Sequence, residues 1–571
     1  MEKLNGKIWS LSNTFRAKVP YDSFPEFLLS IIYINWVDRH EITPGFVYGH
    51  NKSVYSAAQE MISHYDEETI QEAGNDLSSF SKTEIQELVK SLLFEQDNKK
   101  SYRSCESSPE VISDLAIKLL QLSSGDIIFD LGSGVGTFLA RINEYSVKNG
   151  MNLENLNGID VNIDLVYLSI MALSILQEKE KTPQIGWSSS ISERITSPFS
   201  KGYVYPPFGI RFFSNVSEIG SRFPEVKFNS RNTSDWIFVD RFVKHADWGK
   251  LPQRVVAIMT PRALFNEVDK EYRNALLRNG YIEGIIELPA GILGSIGIKV
   301  CMVILSSGNK KVKLIDATEM LGPMPKKMNR MEMPVDKIAQ LYFSVDVPSR
   351  KKEDLINSSN LLPSIVLLDS GVVKNGIPLG EVAEVFSGTQ YTIRNFEDRF
   401  GDRPTGYRIL TSGDIEDGLV DWKRLQIIDY NDEKFDKYAV KKDDVVVTSK
   451  SSKVKTVVID INPQEKILVT GGMIIIRPDV TKINPTYLKM FMDSEKGKNS
   501  LKKIQKGETI ISLKPTDLST LNVPMISLER QIEMANLFNS KLSTLLAYKK
   551  EIAKLENSLH NLFLDFEEFG E

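Results

Sequence analysis

Residues 126–139, DIIFDLGSGVGTFL, decide the fold expected of this 571-residue chain. The apolar run at their start predicts a short buried strand, and the glycine-rich turn after it leads into a predicted helix. Gly132, Gly134 and Gly136 allow the backbone to turn tightly and to approach a ligand closely. The N-terminus of the following helix adds a partial positive charge. This order of strand, turn and helix is the one that a nucleotide-type cofactor requires.

Acidic residues on two neighbouring strands support the same site. Asp160, in NGIDVN, is placed to accept hydrogen bonds from both hydroxyls of a ribose. Asp130 closes the first strand, and the spacing D-x-G-x-G-x-G is closer to a fingerprint for S-adenosylmethionine than to the G-x-G-x-x-G of dehydrogenases. A plain strand–helix turn with a solvated aspartate is the alternative.

Short β-branched runs alternate with helical stretches on either side of this segment. They predict an open α/β sheet with crossover helices, and the runs are NLNGIDV, WIFVDRF, RVVAIMT, YIEGIIELP and IKVCMVILS. The last two strands are expected to form an antiparallel edge, because the loop at 288–299 has no room for a crossover helix.

The two ends of the chain have a helical pattern. Residues 1–105 carry apolar residues at three- and four-residue spacing, and Ser81 with Glu84 forms a capping-box pattern. After about residue 376, short strands with turn signals predict a mostly β domain. The chain then ends in a long predicted helix, whose length favours pairing with another helix over packing on its own domain alone. Its apolar positions are Leu528, Ile532, Ala535, Phe538, Leu542, Leu545, Ile552, Leu555, Leu559, Leu562 and Phe566.

Composition sets outer limits on function. A chain of 571 residues exceeds what one hydrophobic core organises, so two or three domains are expected. Two cysteines, Cys105 and Cys301, and five histidines argue against a disulfide framework or a metal site. No apolar run approaches the ~20 residues of a membrane span, and the first ten residues lack a secretory pattern, so we expect a soluble, cytoplasmic protein. A net charge of -5 does not exclude nucleic acid, because binding depends on local basic patches.

The motifs together resemble the modification subunit of type I restriction-modification systems. The resemblance covers about residues 20–320, and the motifs occur in the same order as in that family. They are SPEVISDLAIKLL, FDLGSGVGTFL, NGIDVN, YPPFG, TSDWIFVDRFV and the segment from VAIMTPRALF to KVCMVIL. The resemblance implies an S-adenosylmethionine-dependent, Rossmann-like methyltransferase that acts on adenine N6 in DNA. The implied cofactor residues are Asp130, Gly132, Gly134, Gly136 and Asp160.

Tyr205-Pro206-Pro207-Phe208 lies where that family carries a catalytic Asn/Asp-Pro-Pro-Tyr/Phe tetrapeptide. In the family, the first side chain accepts hydrogen bonds from the adenine amino group, and the aromatic residue stacks on a flipped base. Phe208 can still stack. Tyr205 cannot replace the amide, because a phenol is longer, is neutral at pH 7 and lacks the paired acceptor and donor.

Two further departures lie in the same implied pocket. Trp187 stands where the family has an Asp that binds the cofactor's adenine amine, and Ser107-Ser108-Pro109 replaces the family's Phe/Tyr-Thr-Pro. Three departures in one pocket predict that catalysis is weakened or absent.

From residue 377 onward the chain resembles one target-recognition domain and helix of the type I specificity subunit. IPLGEVAEVFSGTQYT, KGETIISL and LERQ carry this likeness. The domains expected are helical (1–105), methyltransferase-like (106–356), α+β target-recognition (376–526) and a long dimerisation or spacer helix (527–571). Candidate phosphate contacts are Lys450, Lys453, Lys498, Lys502, Lys503 and Lys506, with a merely solvated face as the alternative.

Two functions follow from these features. The first is a site-specific DNA adenine-N6 methyltransferase of a type I-like restriction-modification or phage-defence system, with DNA recognition in the same chain. The second is a catalytically degenerate homologue that recognises DNA within such an assembly. Expected partners are double-stranded DNA, a second copy joined through the C-terminal helix, and restriction or defence subunits. A small-molecule methyltransferase is disfavoured by YPPF and LERQ.

Overall fold

The computed structural model describes residues 11–568 except 12, 16, 42–44, 48–49, 95–107, 178–182, 190–197, 211–218, 247–252, 294–298, 321–332, 357, 369–375, 390–406, 417, 423, 429–432, 451–453, 462–465 and 506–511. The chain forms two compact units, Met1–Leu367 and Leu368–Glu571. The finer domain boundaries expected from the sequence remain predictions.

Unit 1 is built on a nine-stranded sheet. In chain order its strands are β1 Ile127–Leu131, β2 Asn155–Asp160, β3 Gln184–Trp187, β4 Lys201–Val204, β5 Arg254–Met259, β6 Ile282–Glu287, β7 Cys301–Leu305, β8 Lys311–Asp316 and β9 Ser349–Lys351. The order across the sheet is β3-β2-β1-β4-β5-β7-β6-β8-β9. The first five are mutually parallel, and β7 runs antiparallel between β5 and β6. The fold is therefore α/β with a large mixed sheet.

Two details of the predicted sheet were wrong. β6 and β7 are antiparallel as expected, but they lie inside the sheet because β8 and β9 extend it beyond β6. The predicted strand WIFVDRF is part of a helix, Ser234–His245, whose residues 234–243 are all buried. Its charged residues Asp235, Asp240 and Arg241 are buried together with the apolar ones, and the short run WIFV does not by itself distinguish a buried helix from a buried strand.

The helices of unit 1 cover both faces of this sheet. They are α1 Phe24–His40, α2 Val54–Ile62, α3 Glu67–Ser78, α4 Lys82–Phe94, α5 Glu110–Leu120, α6 Thr137–Lys148, α7 Ile163–Leu176, α8 Ser234–His245, α9 Pro261–Phe265, α10 Lys270–Arg278, α11 Val335–Phe343, α12 Lys352–Leu355 and α13 Pro363–Val366. The predicted capping box is confirmed. The Ser81 N–H donates to Glu84 Oε2 at 2.9 Å, and the Glu84 N–H donates to Ser81 Oγ at 3.3 Å.

The strands separate two hydrophobic cores. Because alternate residues of a strand face opposite sides, Ile128 belongs to one core and Phe129 to the other. The larger core joins the sheet to the N-terminal helices, since it contains Phe27 of α1 and Leu88 of α4. Both helices pack against α7, which links them to the sheet.

Unit 2 combines small sheets with helices. Its strands are β10 Gly376–Pro378, β11 Ala383–Ser387, β12 Tyr407–Leu410, β13 Ile415–Glu416, β14 Leu419–Val420, β15 Gln426–Ile428, β16 Val445–Thr448, β17 Thr456–Val458, β18 Lys466–Val469, β19 Met473–Pro478 and β20 Asn522–Pro524. Four form the antiparallel sheet β11-β19-β16-β17, three form β15-β12-β18, and the others pair as β10-β20 and β13-β14. Helices α14 Pro485–Asp493, α15 Glu495–Ile504 and α16 Pro515–Ser519 follow β19.

The chain ends in α17, a helix of 41 residues from Leu528 to Glu568. Near its start it packs on its own unit, where Gln531 and Ala535 are buried. Farther along, the apolar side chains of Leu545, Ile552 and Leu559 are 50–68% exposed. Within the described residues, none of the helices combines the length and the apolar character that a bilayer span requires.

Candidate active site

The glycine-rich turn connects β1 to α6 at the carboxyl edge of the sheet. Gly132, Gly134 and Gly136 have φ values of +83°, +53° and +81°, which L side chains rarely adopt. A Cβ added at Gly132 or Gly134 would meet no atom within 4 Å, whereas one at Gly136 would clash with Ser169 of α7. The first two glycines therefore leave an open surface for a ligand, and Gly136 permits close helix packing.

Asp160 ends β2 and ties the turn in place. Its Oδ2 accepts a hydrogen bond from the Gly134 N–H at 2.9 Å, and its Oδ1 accepts one from the Asn162 N–H at 2.9 Å. Burial raises the pKa of the Asp160 carboxyl, and these backbone N–H groups oppose that rise. The side chain is partly exposed, so its oxygens remain within reach of a ligand's hydroxyl groups.

Asp130, in β1, is only 3% exposed. Within the described part of the chain, no hydrogen bond or ion pair involves its side chain. Burial, with a smaller contribution from the charge of Asp160, raises the pKa of Asp130 well above its ordinary value. An unpaired buried carboxylate costs free energy, and a cationic group of a ligand would remove that cost.

The tetrapeptide Tyr205–Phe208 follows β4 directly. The rings of Tyr205 and Phe208 are both half-buried and meet edge to face, with centroids 5.3 Å apart and planes at 77°. Pro206 is buried, and the carbonyl oxygen of Pro207 accepts a 3.5 Å hydrogen bond from the Ser234 hydroxyl. The two aromatic rings thus form one pair beside the end of β4.

Sequence reasoning missed Tyr203, a buried residue that supports this region. Its ring stacks on Phe138 of α6, with centroids 3.6 Å apart and planes at 13°. Its hydroxyl shares a 2.8 Å hydrogen bond with Ser108 Oγ, and burial raises its pKa well above the ordinary value. From the sequence alone, a tyrosine within a buried strand is interpreted as a core residue. Its supporting role is evident only from its contacts with Phe138 and Ser108 in the structure. Ser107 lies outside the described residues.

The strand order brings these separate motifs together. Trp187 is paired with Asp160, and Asp130 is paired with both Gly158 and Tyr203. Alternate residues of a strand share a face, so these side chains point to the same side of the sheet. The site lies at the carboxyl edge of β3-β2-β1-β4 and spans the place where the strand order reverses, between β1 and β4. Ligands of open α/β sheets bind at such a switch point.

Residues 94–359 match the family model for N-6 DNA Methylase. This methylase segment contains the glycine turn, both aspartates, Trp187 and the tetrapeptide. No curated protein sequence matches the chain.

Three solved structures are similar to this chain at low sequence identity. One, from work on assembly and conformational transition of the type I R-M system, is 12% identical with a TM-score of 0.50, covering 62% of this chain and 88% of that one. The type I restriction-modification methyltransferase subunit from Streptococcus thermophilus is 15% identical with a TM-score of 0.49, covering 63% and 98%. The type IIG restriction endonuclease BpuSI is 11% identical with a TM-score of 0.46, covering 94% and 75%.

The residues of this methylase segment fit S-adenosylmethionine, the cofactor that the matching family model implies. The open surface at Gly132 and Gly134 leaves room for a ligand to contact the protein backbone. The partly exposed carboxylate of Asp160 suits a ribose. The unpaired, buried carboxyl of Asp130 suits a ligand that carries positive charge. In the described residues, no cluster of His, Cys, Asp and Glu is arranged to hold a metal ion.

The candidate phosphate-binding lysines lie in unit 2 and have different surroundings. Lys498 and Lys502 are exposed and stand four residues apart on one side of α15, and Lys450 is exposed after β16. Lys503 is half-buried. Lys453 and Lys506 lie outside the described residues. Lys455, a near neighbour, donates to the carbonyl oxygens of Ser412 and Ile415 at 3.0 and 2.7 Å and therefore has a structural role.

Proposed function

We propose that this chain is an S-adenosylmethionine-binding, DNA adenine-N6 methyltransferase-like subunit of a type I-like restriction-modification or phage-defence system. In this proposal unit 2 recognises DNA. The observation that carries it is the joint placement of the glycine turn, Asp130, Asp160 and the Tyr205–Phe208 tetrapeptide on one face at the switch point of the sheet.

The chain's own residues have distinct parts in this function. The backbone at Gly132 and Gly134 lies against the cofactor, Asp160 accepts hydrogen bonds from its ribose, and Asp130 balances its positive charge. The bound cofactor supplies an electrophilic methyl group. Phe208 stacks on an adenine that has been flipped out of the duplex. Backbone carbonyls of the tetrapeptide accept hydrogen bonds from the adenine amino group and orient it.

A second candidate, a DNA-recognition subunit without methyl transfer, is favoured by Tyr205. Its phenol replaces the amide or carboxylate that would hold the adenine amine, and its ring packs against Phe208. Positioned hydrogen-bond partners supply much of the rate in group transfer. Binding without turnover is the expected behaviour if no other residue replaces this contact.

Calorimetry with S-adenosylmethionine, followed by methyl transfer to genomic DNA, tests both candidates. Wild-type protein should bind, while Asp160→Ala and Gly134→Asp should not. Glu154→Ala is the matched control, because Glu154 precedes the first residue of β2 whereas Asp160 is its last. Binding with transfer supports the enzyme, and binding without transfer supports the recognition subunit. Failure of the wild type to bind would overturn the cofactor site.

In this proposal, Lys498 and Lys502 contact phosphates when unit 2 binds DNA. Each exposed lysine that contacts a phosphate releases counterions and contributes about 0.9 to the slope of log affinity against log salt. The double variant Lys498→Ala/Lys502→Ala should lower that slope by about 2. Lys441→Ala/Lys442→Ala removes two other exposed lysines of unit 2 and should leave the slope unchanged. Equal slopes for all three proteins would exclude α15 from the DNA contact.

A further inference from the structure

Two apolar side chains remain exposed beside Asp160. Trp187, the last residue of β3, is paired directly with Asp160 and is 43% exposed. Val161, which follows Asp160, is 69% exposed. Both lie at the edge of the sheet where the cofactor is proposed to bind. Pockets for cofactors are lined largely by apolar and aromatic side chains of this kind.

The indole of Trp187 is held in one orientation. Its Nε1–H donates to the carbonyl oxygen of Val161, with an N···O distance of 2.9 Å. Its ring also meets the imidazole of His50 edge to face, with centroids 5.5 Å apart and planes at 78°. The indole therefore lies beside the end of β2. The only hydrogen-bond donor of its side chain is already used.

His50 is itself fixed by two hydrogen bonds. The Lys52 backbone N–H donates to His50 Nδ1 at 3.3 Å, so this nitrogen is an acceptor and the neutral ring carries its proton on Nε2. The Tyr167 hydroxyl, from α7, then donates to the same nitrogen at 2.9 Å. His50, which contacts the indole of Trp187, is thus held in place by Tyr167 of the buried helix α7.

We propose that the base of the cofactor stacks on Trp187, and that this end of the pocket selects a flat ring rather than a particular set of ring substituents. The inference rests on the proposed function, in which Asp160 holds the ribose. A base on a ribose held at Asp160 is within reach of the neighbouring side chains, and Trp187 and Val161 are exposed apolar residues there. Neither side chain can accept a hydrogen bond from an adenine amino group, because an indole is a donor only and Val161 is apolar. Stacking depends little on which base is present.

Calorimetry with two product analogues tests this selection. S-adenosylhomocysteine carries the adenine amino group, and S-inosylhomocysteine has an oxygen in its place. Wild-type protein should bind both with dissociation constants within about threefold of each other, as expected for stacking. Trp187→Ala should weaken both by roughly 5- to 150-fold, the range for losing one base–aromatic contact. Trp187→Phe keeps a flat ring and should retain most of the affinity.

Two further variants sharpen the test. Trp187→Asp introduces an acceptor for the amino group and should bind the adenosyl compound more tightly than the inosyl compound. Trp422→Ala, in unit 2, is the control and should bind like wild type. Wild-type affinity in Trp187→Ala, or rejection of the inosyl compound by the wild type, would overturn the role of Trp187 while the cofactor site stands. If the wild type binds neither compound, both the inference and the proposed cofactor site fail.

Discussion

At the scale of single residues, Tyr205 separates the two candidate functions. Tyr205→Asn restores an amide that can hold the adenine amino group. It should raise methyl transfer by about 10- to 100-fold, because one positioned hydrogen-bonding group is worth that much or more in comparable sites. The measurement is transfer of a labelled methyl group to DNA, with N6-methyladenine identified by mass spectrometry.

Tyr205→Phe is the control for the change in shape. It removes only the hydroxyl and supplies no amide, so its transfer rate should stay at the wild-type level. A wild type that turns over at ordinary enzyme rates, and is slowed by Tyr205→Asn, would assign the phenol a catalytic role of its own.

Asp130 should make the ligand-free protein less stable at neutral pH. Its folded-state pKa lies well above the unfolded value, so its contribution to stability is complete below about pH 4 and is lost as the pH rises through the folded pKa. Asp130→Asn stays neutral. It should therefore raise the melting temperature at pH 7.5, with a gain that shrinks in acid, and should weaken S-adenosylmethionine binding.

Thermal unfolding from pH 4 to pH 8, with Asp346→Asn as an exposed control, measures this effect. The control should show no pH-dependent gain. A melting temperature for Asp130→Asn below that of the wild type at pH 7.5 would show that the buried carboxylate has a stabilising partner.

At the scale of secondary structure, Gln531 anchors the start of α17. Its side chain is fully buried; Oε1 accepts from the Asn484 N–H at 2.8 Å, and Nε2 donates to the carbonyl oxygens of Ile526 and Lys482 at 2.9 and 3.3 Å. Gln531→Ala leaves these groups without that partner and should lower the free energy of unfolding of unit 2 by about 1–3 kcal/mol. Urea denaturation measures the loss. The exposed neighbour Glu529→Ala should change it little, and an equal loss in both variants would contradict the anchor.

The sequence was most informative where a pattern has one physical cause. Glycines that alternate at 132, 134 and 136 require positive φ, and the turn is where it was predicted. WIFVDRF was misassigned because a short apolar run has the same pattern in a buried helix as in a buried strand, and the helix also buries its charged residues. The support of Trp187 by His50 joins residues 137 positions apart, and no local pattern encodes such a contact. The roles of the site residues and the DNA contacts remain predictions.

At the scale of the whole molecule, the far part of α17 presents an exposed apolar stripe. Leu545, Tyr548, Ile552, Leu555 and Leu559 recur at steps of three and four residues and are 50–68% exposed. Tyr548 fills the gap in the stripe predicted from the sequence. A seam of this period pairs with another helix, and we propose the same helix of a second copy, related by a two-fold axis.

Light scattering of the purified chain tests this pairing. Wild-type protein should be dimeric at micromolar concentration, and Leu545→Glu or Leu555→Glu should convert it to monomer by placing a charge in the seam. Lys550→Glu places the same acidic residue on the same helix but on the face away from this stripe, and the variant should remain dimeric. A wild type that is monomeric, with no change in either seam variant, would eliminate the self-paired helix.

One hydrophobic core contains Phe27 and Leu88 of the N-terminal helices and Ile128 of β1, the strand that leads into the glycine turn. Ligand binding at the turn should therefore affect the stability of these helices. Residues in one continuous core tend to open cooperatively, so α1 and α4 should lose their structure together with the sheet. A ligand that binds only the folded state stabilises that whole cooperative body, by about 2.7 kcal/mol at one hundred times its dissociation constant. S-adenosylhomocysteine should thus slow amide hydrogen exchange in α1 and α4, helices outside its proposed site.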